Sequence, residues 1–194
     1  YGDHRDLHSF PTRRSSDLIH ADASTARLLE ALVQAAQRRV RVRVLLDDFH
    51  GAGKNAQVMR LAFVPGIEMR MFNPLTGPRG STVLRALSTL TDFQRAQQRM
   101  HNKLFIADNS IGITGGRNYQ DDYYDWDTEY NFRDRDVIIS GPEVREMAVN
   151  FDAFWAAPRA VPVEQLNDVG RYLLRHGVPA LPPLPGRNPE RVAR

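Results

Sequence analysis

Between Met100 and Asn118 the chain sets His101, Lys103, Asp108, Gly115, Gly116 and Asn118 in the order H-x-K-x4-D-x6-G-G-x-N. Chance would produce such a pattern somewhere in a chain of this length with odds on the order of one in a hundred thousand, given ordinary residue frequencies. The run also dictates a local fold. Residues 100–107 predict a short strand with Leu104, Phe105 and Ile106 as its apolar part, and the two-residue period puts His101 and Lys103 on one face. Asp108 ends that strand, Asn109 and Ser110 make a tight turn, and residues 111–114 return antiparallel. Gly115, Gly116 and Asn118 then come back beside the histidine and lysine. The result is one pocket wall: glycines that let a phosphate approach the backbone, with Lys103 and Asn118 as donors and no metal required. Histidine, with a pKa near neutrality, can attack phosphorus or protonate a leaving alkoxide. A buried strand that happens to carry His and Lys explains neither the polar pair inside an apolar run nor the glycines after it.

The pattern resembles the phosphodiesterase signature of the phospholipase D superfamily. The resemblance implies a phosphohistidine intermediate, with one motif's histidine attacking and a second motif's histidine acting as acid and then base. Lys103 and Asn118 would stabilise charge on the phosphoryl oxygens, each by about 3 kcal/mol if they act as other preorganised donors do. Asp108 would hold the histidine network in its working orientation, so His101, Lys103 and Asp108 are the expected catalytic residues. Gly115, Gly116 and Asn118 are the expected phosphate-binding ones. No cofactor and no metal are implied. A second H-x-K-x4-D is absent: outside the first 18 residues the other histidines are His20, His50 and His176, and none has Lys two positions on. One chain therefore supplies half of a two-histidine site.

Residues 38–48, Phe72-Asn73-Pro74, Arg99 to Lys103, Gly115 to Asn118 and residues 132–137 are similar to the first half of bacterial cardiolipin synthases, particularly the C-type. This likeness covers nearly all of residues 20–160. It implies an α/β fold, a phospholipase D-like αβα sandwich with a mixed sheet, forming a single lobe of a normally two-lobed enzyme. It also implies transfer of a phosphatidyl group between anionic phospholipid substrates at a membrane surface, with the enzyme peripheral to or anchored in the bacterial inner membrane. The partner would be the missing second phospholipase D-like lobe. Two other readings stay open. A single-motif phospholipase D-like nuclease would complete the site as a homodimer and bind nucleic acid, and a truncated lobe would be non-catalytic. The isolated chain is expected to be inactive.

Residues 1–18, read back into codons, reproduce a standard sequencing-adapter oligonucleotide throughout, so they are set aside and expected to be disordered. They carry three basic and three acidic residues, leaving the net charge of +3 unchanged. Such mild basicity suits an anionic lipid surface or nucleic acid and selects neither. With 42% hydrophobic residues the remainder can bury one core, and zero cysteines exclude disulfides and thiolate metal sites.

The organisation follows from periodicity. Residues 24–39 read as an amphipathic helix with Leu28, Leu29, Leu32, Val33 and Ala36 on one side and Ser24 or Asp22 as cap. A strand over 40–46 ends in Asp47-Asp48, a helix is expected over 55–63, and a strand over 67–72. Asp47, Asp48 and His50 read as a strand-end turn rather than a metal site. Gly51 to Lys54 evokes a phosphate-binding loop, but Asp48 and Asn55 stand where Gly and Ser/Thr belong. Residues 81–98 read as a helix facing the core or a neighbouring domain, or alternatively as a lipid-facing wall. Asp121 and Asp122 read as solvated, and the aromatics from Tyr119 to Phe132 as an ordered loop or an acceptor pocket. A strand is expected over 132–139 and a helix over 143–155. The catalytic lobe then spans 19–157. Seven of the 12 prolines fall between Pro158 and Pro189, so residues 158–194 read as a linker toward the missing lobe, interrupted by one short helix near 167–175.

Overall fold

The computed structural model describes residues 23–47, 60–74, 99–167, 169, 174 and 175. Among them the order is helix α1 (Ala23–Gln37), strands β1 (Val42–Asp47), β2 (Ile67–Phe72), β3 (Lys103–Ala107), β4 (Ile111–Gly115) and β5 (Asp136–Ser140), helix α2 (Glu143–Ala156) and strand β6 (Ala160–Pro162). The strands form two three-stranded sheets, β1-β2-β6 and β3-β4-β5. This is an α/β fold of the phospholipase D-like αβα kind. The helices expected over 81–98 and around 167–175 fall wholly or partly outside the described residues. Of the helix expected over 55–63, the described part is a 3-10 turn at Arg60–Phe63.

α1 ends because Arg39 turns left-handed at φ 68°. The amide of Val40 then reaches the carbonyl of Ala35 and that of Arg39 the carbonyl of Ala36, the paired bonds of a Schellman stop. The chain enters β1, which runs parallel to β2 with Val42 beside Ile67 and Asp47 beside Phe72. One face of this sheet, with Val42, Ile67, Met69 and Met71, joins Ala36 of α1, Leu61, Val163 and Leu166 in the core. Each such fully buried side chain contributes about 1.5–3 kcal/mol. The other face carries Arg43 and Arg70 against α2: Arg43 ion-pairs with Asp152 at 2.7 Å and lies over Phe151, and Arg70 lies over Trp155. That is how arginine covers aromatic surface while keeping its charge partly wet.

The proline-rich composition after Ala157 does not mark the end of the lobe. Asn73 donates its amide to Arg159, β6 pairs antiparallel with β2, and Val163 and Leu166 sit in the core. The boundary expected at 157 therefore falls inside packed structure. Pro162 occupies the end of an edge strand, where a missing N–H costs nothing.

β3, β4 and β5 form an antiparallel meander with Lys103 opposite Gly115 and Gly115 opposite Asp136. Residues directly opposite share a face. The face bearing Gly112 lies under α2, where a Cβ at Gly112 would meet Met147 and Val144. The opposite face bears Lys103, and its apolar residues Phe105, Ile111 and Ile138 are exposed. Among the described residues no helix is long and apolar enough to cross a membrane.

Candidate active site

The expected hairpin is present. The Ser110 amide bonds the Ala107 carbonyl across a turn whose central residues, Asp108 and Asn109, both stand at φ 51°, a region that Asp and Asn tolerate better than other side chains. The antiparallel register then returns Gly115 opposite Lys103. The strand starts at Lys103 rather than at 100, yet His101 keeps the same side: its Nε2 lies 2.9 Å from Lys103 Nζ. Lysine ammonium has only donors, so Nε2 accepts and the ring proton sits on Nδ1. Lys103 also donates to the His101 carbonyl at 3.2 Å. Burial pushes the Lys103 pKa down, opposed by the nearby negative charge of Asp134. His101 itself is exposed.

Asn118 is brought to the same end of the hairpin and is buried, 4% exposed. Its Nδ2 donates to Tyr123 Oη at 3.0 Å, while its Oδ1 has no hydrogen-bond partner. Asp108 goes elsewhere. It lies in the exposed turn at the far end of β3, about 16 Å from Lys103 at about 3.3 Å per strand residue, and its carbonyl accepts from Ser110 Oγ. It cannot touch His101 from there, and its observed part is shaping the turn.

The glycines are also occupied differently from expectation. A Cβ on Gly116 would collide with the Asp134 carboxylate, and one on Gly115 with Asp136 and the Arg135 carbonyl. The missing side chains admit the start of β5 against Gly115 and the Asp134 carboxylate against Gly116, and Asp134 acts on Lys103, so the space over the glycines is taken by protein. Asp134 is thus a site residue that the strand expected over 132–139 does not single out. Two consecutive glycines beside a strand were the signal that something must approach closely. Arg117 was also missed as a site residue. Its guanidinium bonds the Asp136 carboxylate at 2.8 Å, the Asp134 carbonyl at 2.8 Å and the Tyr123 carbonyl, and lies over the Tyr124 ring. It sews β4, the start of β5 and the intervening loop together.

That loop is ordered by packing. Tyr123 stacks on Phe132 with centroids 4.6 Å apart, Tyr130 meets Phe132 edge-on, and Arg27 of α1 covers Trp126. Asp121 and Asp122, expected to be solvated, are engaged. Asp121 accepts the Ser24 amide at the start of α1, and Asp122 accepts from Gln120 Nε2. Asp47 is likewise structural. Its carboxylate takes the Met100 amide at 2.7 Å and Arg99 at 3.3 Å, and Arg99 also donates to the Asn73 carbonyl. This joint fixes the backbone one residue before His101. Asp48, His50 and residues 51–55 lie outside the described residues.

A mixed α/β scaffold that holds a histidine, a lysine and an asparagine at one strand end, beside carboxylates, has the architecture of a phospholipase D-like lobe. The pattern of the family described as cardiolipin synthase, PLD-like domain, matches residues 11–155, and the chain belongs to that family. The match opens at Pro11, ahead of Ile19. Cardiolipin synthase C of Escherichia coli K12 is 40% identical over 148 residues, 76% of this chain and 30% of the relative. An uncharacterized protein of Helicobacter pylori 26695 is 39% identical over 75% of this chain and 29% of its own length. The cardiolipin synthase of Geobacillus kaustophilus is 30% identical over 71% and 25%. The chain thus spans about 30% or less of the length of these relatives.

Proposed function

We propose that this lobe is half of a phosphatidyl-transfer site in which His101 becomes phosphorylated. The observation that carries this is the 2.9 Å contact between Lys103 Nζ and His101 Nε2, which leaves the nucleophilic lone pair of an exposed imidazole aimed at a cation. A phosphoryl group arriving there exchanges the lysine's partner: its oxygens take the ammonium, and Nε2 is released toward phosphorus. The Nε2–P bond forms as the P–O bond to the donor headgroup breaks, and the leaving alkoxide takes a proton from the second histidine. A hydroxyl of the acceptor lipid then gives its proton to that same histidine, attacks phosphorus and regenerates His101. Lys103 and Asn118 bind the phosphoryl oxygens. Gly115 and Gly116 serve this by admitting Asp134 and Asp136, and Asp134 is the carboxylate placed to orient the charged network.

The second histidine comes from a further lobe, by the length of the relatives, and the substrates are anionic phospholipids at the bacterial inner membrane. His101 is the only histidine among the described residues, so on this reading the acid for an alkoxide leaving group comes from the second lobe and the chain alone is expected to turn nothing over. A phosphatidyl ester of p-nitrophenol separates the steps, because nitrophenolate leaves without a proton. Vesicles carrying that ester should give one burst of nitrophenolate per chain and an acid-labile phosphoryl adduct on His101, both lost in His101→Asn. Absence of the burst overturns the nucleophile assignment. Steady cardiolipin formation by a monomer overturns the two-histidine scheme, and DNA cleavage that rises with dimer concentration would move the function to a nuclease.

A further inference from the structure

We infer that Tyr123 is a positioning residue: its hydroxyl sets the orientation of the Asn118 amide and so decides whether that amide can donate to a bound phosphoryl oxygen. This rests on the phosphate role given to Asn118 above. In the structure Asn118 spends its NH2 on Tyr123 Oη at 3.0 Å and leaves Oδ1 buried without a partner. A buried, unpaired carbonyl oxygen is costly. The opposite arrangement pairs that oxygen, since a phenol can donate as well as accept, and leaves the NH2 as the group that a bound acceptor would satisfy. With the amide turned by half a revolution, Tyr123 O–H donates to Oδ1 and the NH2 points where Oδ1 now lies. A phosphoryl oxygen, which only accepts, can be bound by the second arrangement and not by the first. The amide is therefore a two-position element, and phosphate favours one position.

Tyr123 is built to hold its side of this pair. Its ring stacks on Phe132, its carbonyl takes Arg117, and its amide bonds the Gln120 carbonyl at 3.0 Å. Burial pushes its pKa up, which keeps the hydroxyl proton available for donation. The stack thus holds the ring and the two backbone bonds hold the residue, while the hydroxyl can donate or accept.

Inorganic phosphate is the probe, titrated into the full chain and into Tyr123→Phe, Asn118→Ala and the double variant. Tyr123→Phe keeps the stack on Phe132 and should weaken phosphate binding about fivefold, the worth of one neutral hydrogen bond. Added to Asn118→Ala it should change nothing further, because the hydroxyl acts only through the amide. If Asn118→Ala weakens binding but Tyr123→Phe does not, or if the two losses add, the inference is overturned while the phosphate site stands. If Asn118→Ala leaves phosphate affinity unchanged, the phosphate role of Asn118 fails and the inference with it. A measurement on the unmodified chain covers the case of a variant that does not fold. With 15N labelling, phosphate should shift the Asn118 side-chain NH2 resonances, and their failure to move at saturating phosphate would also overturn the inference.

Discussion

Lys103 shows how the site sets function against stability. Its ammonium is half-buried and its hydrogen bonds go to an imidazole nitrogen and a backbone carbonyl, so it loses hydration for contacts weaker than a salt bridge. Burial accordingly lowers its pKa, with Asp134 opposing. The folded-state value lies below the unfolded one, so the unfolded chain holds the proton more tightly. At neutral pH both states are protonated and the whole penalty acts on the fold. As pH rises through the lowered value toward the ordinary lysine value, the native state releases its proton first and the penalty disappears. Lys103→Met should therefore melt at a higher temperature than the parent near neutral pH, and the gain should shrink near pH 10. The same substitution should lower phosphoryl transfer by about a hundredfold or more. Thermal melts at both pH values, with the His101 burst, check the two halves. A variant less stable at neutral pH would show that the ammonium supports the fold.

At the scale of elements, β4 and β5 meet through two glycines with unequal surroundings. A Cβ on Gly115 would lie 2.6 Å from the Arg135 carbonyl and 2.8 Å from Asp136 Cα, both backbone atoms that yield only if the strand moves. Gly115→Ala should cost about 1–3 kcal/mol in urea unfolding, as overpacking does. At Gly116 the three nearest atoms all belong to the end of the Asp134 side chain. Gly116→Ala should lose less stability and more function, because the carboxylate swings away from Lys103. The order of the two variants would reverse if phosphate, rather than β5, filled the space over the glycines. Periodicity made the elements themselves legible: α1, β1, β2 and α2 lie within two residues of expectation, because each carries an apolar stripe of the right period. Local pattern carried no such information on the partners that shape the site. Asp121 holds the Ser24 amide across 97 residues, and nothing near either residue announces it. Asp134 looked like one charge among four in Arg133-Asp134-Arg135-Asp136, and only β5 pairing in register gives it a neighbour. Val163 and Leu166 hid in proline-rich composition because β6 needs β2, far away in sequence, to bury them.

At the scale of the whole molecule, the two sheets must keep a fixed relation for His101 to stay in place. Described contacts join them through α1, which meets Asp121 and Trp126, through α2 and through Asp47. α2 lies against the arginine face of β1-β2-β6, held by the Arg43–Asp152 ion pair, an Arg70 bond to the Trp155 carbonyl and cation–π contacts, and it packs against Gly112 of β3-β4-β5. The Asp47 joint is directional. Its side chain is 3% exposed, against 14% for Arg99, and it takes a backbone amide as well as a guanidinium at the end of β1. Asp47→Ala removes the carboxylate that compensates a nearly buried arginine and should cost about 3 kcal/mol or more. Asp47→Asn keeps an oxygen for the Met100 amide and removes only the charge, so it should lose less than the alanine variant in urea unfolding. In both, the His101 burst should fall by more than the folded fraction accounts for, because residues 99 and 100 are then free to carry the imidazole off the Lys103 face. A burst that tracks the folded fraction alone would make the joint a purely structural tie and leave the His101 position to the hairpin.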